Sequence, residues 1–190
     1  MAVTPPGKRP EVGRVRDPFY IQPVPSPILP LLALPLLLLL GAAPAAAACT
    51  DAPAPGVDWR RCLQDGQDLH GVDLTGAVLR DASFARARLG QAKLVKADAP
   101  SARFTSADAT GADFSGAVLR GAEFTRARLA GARFVRADLR GARFFRADLT
   151  DADLTGAELS GADLGTATLD GALWVDGARR CAAGSVGFCQ

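Results

Sequence analysis

A chain of 190 residues has room for one domain and a leader, but not for two domains of ordinary size. Its formal charge of +2 comes from 22 basic and 20 acidic residues; four basic and two acidic residues precede Cys49, so residues 49 to 190 are neutral. A neutral body lacks the electrostatic footprint of a general nucleic-acid binder or of a protein held to an anionic membrane.

Lys8, Arg9, Arg14 and Arg16 come first, followed by a run of Leu, Ala and Pro from Ile28 to Ala48. Leu36 to Leu40 form its centre and Ala46-Ala47-Ala48 its end. Positive region, short apolar region and small-residue site stand in the order of a secretory signal. The leucine run, interrupted upstream by Pro30 and Pro35, is short of the roughly 20 residues a membrane span needs. Residues 1–48 therefore read as an N-terminal extension and signal peptide, with cleavage after Ala48 and a periplasmic or secreted product. The positive region is long for such a signal, which leaves a start downstream of Met1 open. Lipidation of Cys49, which would attach the body to a membrane, is a second fate; an uncleaved anchor is a third. Against lipidation, Ala46 stands where lipoprotein signals usually carry Leu.

From Gln67 to Asp176 the chain runs in blocks of five, with an apolar residue at the centre of each block from Leu69 to Trp174. Two residues before each centre, from Ala77 to Ala172, stands an unbroken series of alanines. A five-residue period fits neither the 3.6-residue turn of a helix nor the two-residue alternation of a strand. A repeat architecture follows. Centre and alanine point inward and the other three positions face water, the alanine being small because it shares a cross-section packed at crystal-like density.

Blocks such as Ala147-Asp148-Leu149, Ala152-Asp153-Leu154 and Ala162-Asp163-Leu164 resemble the Ala-(Asp/Asn)-Leu-x-x motif of the pentapeptide-repeat family, and the resemblance covers all of residues 67–176. It implies an all-β fold, the right-handed quadrilateral β-helix, in which four blocks close a square coil. The repeats then make about five to six coils, a rod roughly 26 Å long at a sheet spacing of about 4.8 Å. The best-known activity in that family, protection of type II topoisomerases by mimicking DNA, needs a strongly acidic surface in the cytosol. Charge and export signal both stand against it, and it is kept as an alternative function.

Cys49, Cys62, Cys181 and Cys189 all lie outside the repeats. An even count in an exported chain suggests disulfides, with three connectivities possible. Proximity favours Cys49 with Cys62 and Cys181 with Cys189, since the ends of the rod are too far apart for cross-pairing. Each small loop contributes on the order of 2 to 3 kcal/mol if unstrained. Zinc is the competing reading, but the cysteine spacings are wrong for it and the only histidine, His70, lies within the repeats. Residues 49–66 are read as an N-terminal cap and 177–190 as a C-terminal cap, because each end coil exposes apolar surface and unpaired backbone. Trp59 and Trp174 are expected to cover the ends. The segment from Trp174 to Cys189 resembles the tail of many exported proteobacterial members of the family, which implies a disulfide-closed cap. It is too short and glycine-rich for a dimerising helix, so a monomer is expected.

Residues twenty apart should stack in adjacent coils. One internal column then runs Phe84, Phe104, Phe124, Phe144, Leu164, a ladder of core packing. Outward columns alternate in sign: Asp68, Arg88, Asp108, Arg128, Asp148; Asp73, Lys93, Asp113, Arg133, Asp153; Arg103, Glu123, Arg143, Asp163. They read as cross-coil ion pairs, each worth about 0 to 1 kcal/mol at an exposed site. Arg80, Arg120 and Arg140, with Arg86, Arg126 and Arg146, do not alternate and are expected to line one corner as a basic stripe. That stripe is a solvated edge or a docking strip for an acidic protein or anionic polymer. Ala99 and Ala109 replace large centres on opposite faces of one coil, which is read as under-filled. No catalytic constellation is visible, so no enzyme and no cofactor is expected, and a protein-interaction or scaffolding role is the leading reading.

Overall fold

The structure, a computed structural model, describes residues 49–190; the expected extension and signal peptide, residues 1–48, lie outside the described residues. From Gly56 onward the backbone repeats one unit, a single extended residue in a bridge followed by a two-residue turn. Every parallel bridge joins residues twenty apart, from Asp58 with Val78 to Asp153 with Leu173. Four blocks therefore make one turn of a coil, and the sheets are ladders one bridge wide.

The corners explain the block length. At each corner the carbonyl of the centre residue accepts the N–H of the residue three further on, as from Ala82 to Leu79 at 3.1 Å and from Ala127 to Phe124 at 2.9 Å. The residue two past the centre has positive φ, for example 63° at Gly121 and 58° at Arg126. This bond, with a left-handed second central residue, is the signature of a type II turn. Glycine adopts that conformation freely, yet twelve corners carry another residue at φ between 55° and 59°.

The corner leaves one N–H over, that of the residue just after the centre, and the motif aspartate takes it. Thr110 donates to Asp108 at 3.2 Å, Ser115 to Asp113 at 2.9 Å and Thr155 to Asp153 at 3.0 Å. An Asp side chain binding the backbone two residues on is an Asx arrangement, and it satisfies a donor that the ladder cannot reach.

Inside, the alanines and the large centres from Leu74 to Leu154 are buried. Phe84, Phe104, Phe124 and Phe144 stack with centroids 4.8 to 5.2 Å apart and planes within 5°. A second, shorter stack, Phe114 on Phe134 at 5.0 Å, meets the first edge to face. In the coil that reads as under-filled, Phe104 and Phe114 meet 5.7 Å apart, the separation that Phe124 and Phe134 keep in the next coil, where Leu119 and Leu129 take the other two centres. All four centres of this coil are fully buried.

The ends differ from expectation. The bridge ladder begins at Asp58, not near Gln67, so part of the segment read as a cap is already coil. Trp59 and Gln64 occupy centre positions there, and Trp59 is a core residue, 1% exposed and 6.4 Å from Phe84. Val57 and Cys62 replace the inward alanine, which is why the period is hidden in this stretch. A disulfide joins Cys49 to Cys62, and the Gln64 amide donates to the Cys49 carbonyl at 3.1 Å. At the far end the tail folds back antiparallel, bridging Leu173 with Arg180 and Thr168 with Val186, and a second disulfide joins Cys181 to Cys189. Trp174 stays only partly buried beside this tail.

Phe124 has a stacked ring on either side, so Phe124→Ala should cost about 3 to 5 kcal/mol, read as a lower urea midpoint at unchanged slope.

Candidate interaction face

The six arginines singled out in the sequence do not share a corner. Arg80, Arg120 and Arg140 sit at one turn, while Arg86, Arg126 and Arg146 sit at the next turn along the chain. Between them lies a face whose outward column is Ser83, Arg103, Glu123, Arg143 and Asp163. The offset from the nearest centre suggested one edge; in fact a corner occupies both residues after a centre, so a six-residue difference spans a whole face.

Chemically the two corners are unlike. Arg80 is tied to Asp98 at 2.6 Å, and Arg120 and Arg140 share Asp138 at 2.5 and 2.8 Å. The Arg140 guanidinium, hydrogen-bonded to Asp138, and then Arg120 hold that carboxyl far below the usual carboxylate range against its partial desolvation. This corner is largely neutralised. Arg86, Arg126 and Arg146 have no carboxylate within 4.0 Å among the described residues. They also occupy the left-handed corner position, at φ 59°, 58° and 58°.

Phe145 completes this region. It is 40% exposed, and the Arg146 guanidinium carbon lies 5.2 Å from its ring centroid. Its own column otherwise holds Asp65, Ala85, Thr105, Thr125 and Gly165, so a large aromatic at an outward position was the available signal, and sequence reasoning passed over it. Arg103 and Arg143 flank Glu123, at 3.8 and 3.2 Å.

The alternating columns are only partly ion-paired. Arg88 reaches down to Asp68 and Arg128 down to Asp108, both at 3.0 Å. In the column from Asp73 to Asp153 no ion pair forms among the described residues; Asp73, Asp113 and Asp153 instead bind the corner groups of Thr75, Ser115 and Thr155. In this column the carboxylates serve only their own corners, whereas Asp68 and Asp108 hold the corner N–H with one oxygen and an arginine of the next coil with the other.

A family model described as pentapeptide repeats matches in eight copies over residues 66–98, 82–121, 100–135, 122–161 and 132–172, more than half of the chain. The chain belongs to the pentapeptide-repeat family. Its solenoid is accordingly a right-handed β-helix. Among solved structures it is similar to a pentapeptide repeat protein (Rfr23) of the cyanobacterium Cyanothece, at 29% identity, covering 54% of this chain and 64% of that one, with a TM-score of 0.42. A pentapeptide repeat protein from the thylakoid lumen of Arabidopsis thaliana is 30% identical over 56% of this chain and 67% of its own, with a TM-score of 0.36. A form of QnrB1, a plasmid-mediated fluoroquinolone resistance protein, is 24% identical over 60% and 65%, with a TM-score of 0.41. No curated protein matches.

Asp138 gives a pH test. Its folded pKa lies below the ordinary value of about 3.9, so its contribution is fully present above that value and is lost as pH falls through the folded pKa. Asp138→Asn should cost about 1 to 2 kcal/mol at neutral pH, and the gap between variant and wild type in thermal unfolding should narrow as pH is lowered below about 4.

Proposed function

We propose that this protein is an exported, non-enzymatic interaction module of about five to six coils, with a disulfide fastening the chain at each end, that docks an anionic partner along the corner of Arg126 and Arg146. Membership of a repeat family supports the interaction role, since such rods present extended faces. One observation carries the site: Arg126 and Arg146 stand one coil apart with no carboxylate beside either, while Arg120 and Arg140, stacked in the same two coils, share Asp138. Like charges set one above another oppose folding. Each also sits in a left-handed conformation that costs a residue with a side chain about 1 kcal/mol relative to glycine. Like charges stacked one coil apart without a carboxylate at one exposed corner fit a constraint imposed by a ligand. Phe145 adds a flat apolar contact beside the charge.

The anionic partner is an acidic protein surface or an anionic polymer of the cell envelope; the neutral body offers nothing to the DNA-mimic alternative. Replacing Arg126 and Arg146 by Gly removes the charge and relieves the corners. That double variant should be at least as stable as wild type, yet bind heparin, a model anionic polymer, roughly tenfold more weakly at low salt. Arg80→Ser with Arg120→Ser and Arg140→Ser should change binding little. Equal retention of wild type and the Arg126/Arg146 variant on a heparin column would remove the site.

Export is tested separately, by the intact mass of protein purified from its native host, before and after reduction and alkylation. The expected species starts at Cys49 and has four cysteines protected until reduction. A mass that retains the leader, with free thiols, returns the cytosolic topoisomerase reading to first place.

A further inference from the structure

The last coil is covered on only two of its four sides. The tail from Arg179 to Gly187 pairs with the sides of Leu173 and Thr168, where Trp174 donates to Arg179, Leu169 to Ser185 and Gly187 to Ala167. Gly187 lies against the corner of Leu164 and Thr166, where a β-carbon would stand 3.7 Å from the Leu164 carbonyl oxygen and the Thr166 nitrogen; past it the Cys181–Cys189 disulfide and the Ala182 N–H bonded to the Gln190 carbonyl turn the chain back.

The sides that carry Glu158 and Asp163 are left as an edge. One coil below, Leu139, Gly141, Phe144 and Arg146 donate to Glu158, Ser160, Asp163 and Gly165 at 3.0, 3.0, 2.6 and 3.2 Å. The corresponding N–H groups of Leu159, Gly161, Leu164 and Thr166, and the carbonyls of Ala157 and Ala162, have no partner among the described residues. Leu159 and Leu164 lie half-buried at this edge, where every large centre from Leu74 to Leu154 is closed over. Phe188, 61% exposed, follows Gly187 directly. Unpaired ladder groups above a half-covered apolar layer are the features that accept an added strand.

We propose that this open half-coil is a docking edge for an extended segment of another protein, with apolar side chains laid over Leu159 and Leu164 and Lys or Arg side chains facing outward. Charge selects that occupant. Glu158 and Asp163, the outward residues of the edge, are exposed and form no ion pair among the described residues. A second copy stacked end to end is disfavoured, because the first coil presents Asp58, Leu63, Asp68 and Asp73 outward. Any rotation sets at least one of those aspartates against Glu158 or Asp163. A basic strand neutralises both.

The test is amide exchange on the full mature chain with an eight-residue peptide of alternating Lys and Val, titrated to millimolar concentration, and its Glu-Val counterpart. The Lys-Val peptide should slow exchange at Leu159, Gly161, Leu164 and Thr166, and the Glu-Val peptide should not. Glu158→Lys with Asp163→Asn should weaken the Lys-Val peptide about fivefold to tenfold with an unchanged melting temperature. The Arg126/Arg146 glycine variant should bind it as wild type does, so failure here and failure of the anionic site are distinguishable. Three results overturn the proposal: no protection with the Lys-Val peptide; equal protection by both peptides; or protection of these amides without peptide, whether it grows with protein concentration and marks a second copy or persists at dilution and marks cover by the chain itself.

Discussion

The constraint on which the rest depends is the corner. A centre carbonyl bonded to the N–H three residues on, with a left-handed residue between, turns the chain after each block, and four such turns bring residue i beneath residue i+20. Register is therefore fixed locally rather than by long-range strand pairing, and no strand grows beyond one bridge. Inward alanines, the phenylalanine stacks and the outward columns are consequences of that register. Ala99 and Ala109 are fully buried in the same square as Phe104 and Phe114, so the corner keeps its register even where two centres are small.

The aspartate of the motif belongs to the corner as much as to the surface. Its carboxylate binds the N–H that the turn leaves over, which orients one oxygen along its own chain and limits what the other can do. Thus Asp108 accepts from Thr110 through one oxygen and from Arg128 through the other, and Asp113, held by Ser115, forms no ion pair among the described residues. Cross-coil ion pairing is a secondary use of a group placed there for backbone reasons. This also explains why the pairs are exposed and individually weak, while the corners they accompany are invariant in form.

How much of this the sequence disclosed follows from the range of each interaction. The period, the inward alanines and the phenylalanine column were legible because they recur at fixed spacing. The start of the coil at Asp58 was not, since Val57, Cys62 and Gln64 break the motif while keeping its backbone geometry. Reading columns at a spacing of twenty captured Arg88 over Asp68 but missed the bonds across two residues that occupy Asp73 and Asp153. The same habit placed Arg80 and Arg86 on one edge, although a full face separates their turns. Phe145 was passed over because it is neither a centre nor a charge.

In a molecule whose every block obeys one rule, information about partners resides in the departures from it. A perfect solenoid presents the same surface at each level and has no preferred place to bind. Here the departures collect in two places: the corner where Arg126 and Arg146 stack without a carboxylate, and the last coil, where the tail covers two sides and leaves two. The first is a difference in side chains on a regular backbone, so it can change without disturbing the fold. The second is a property of the backbone itself, since a ladder that ends must leave donors and acceptors unpaired unless something covers them. Adding coils would move that edge without removing it. The Cys181–Cys189 disulfide works against closure, because it turns the chain back two residues past Gly187 and fixes the tail over the sides it already covers.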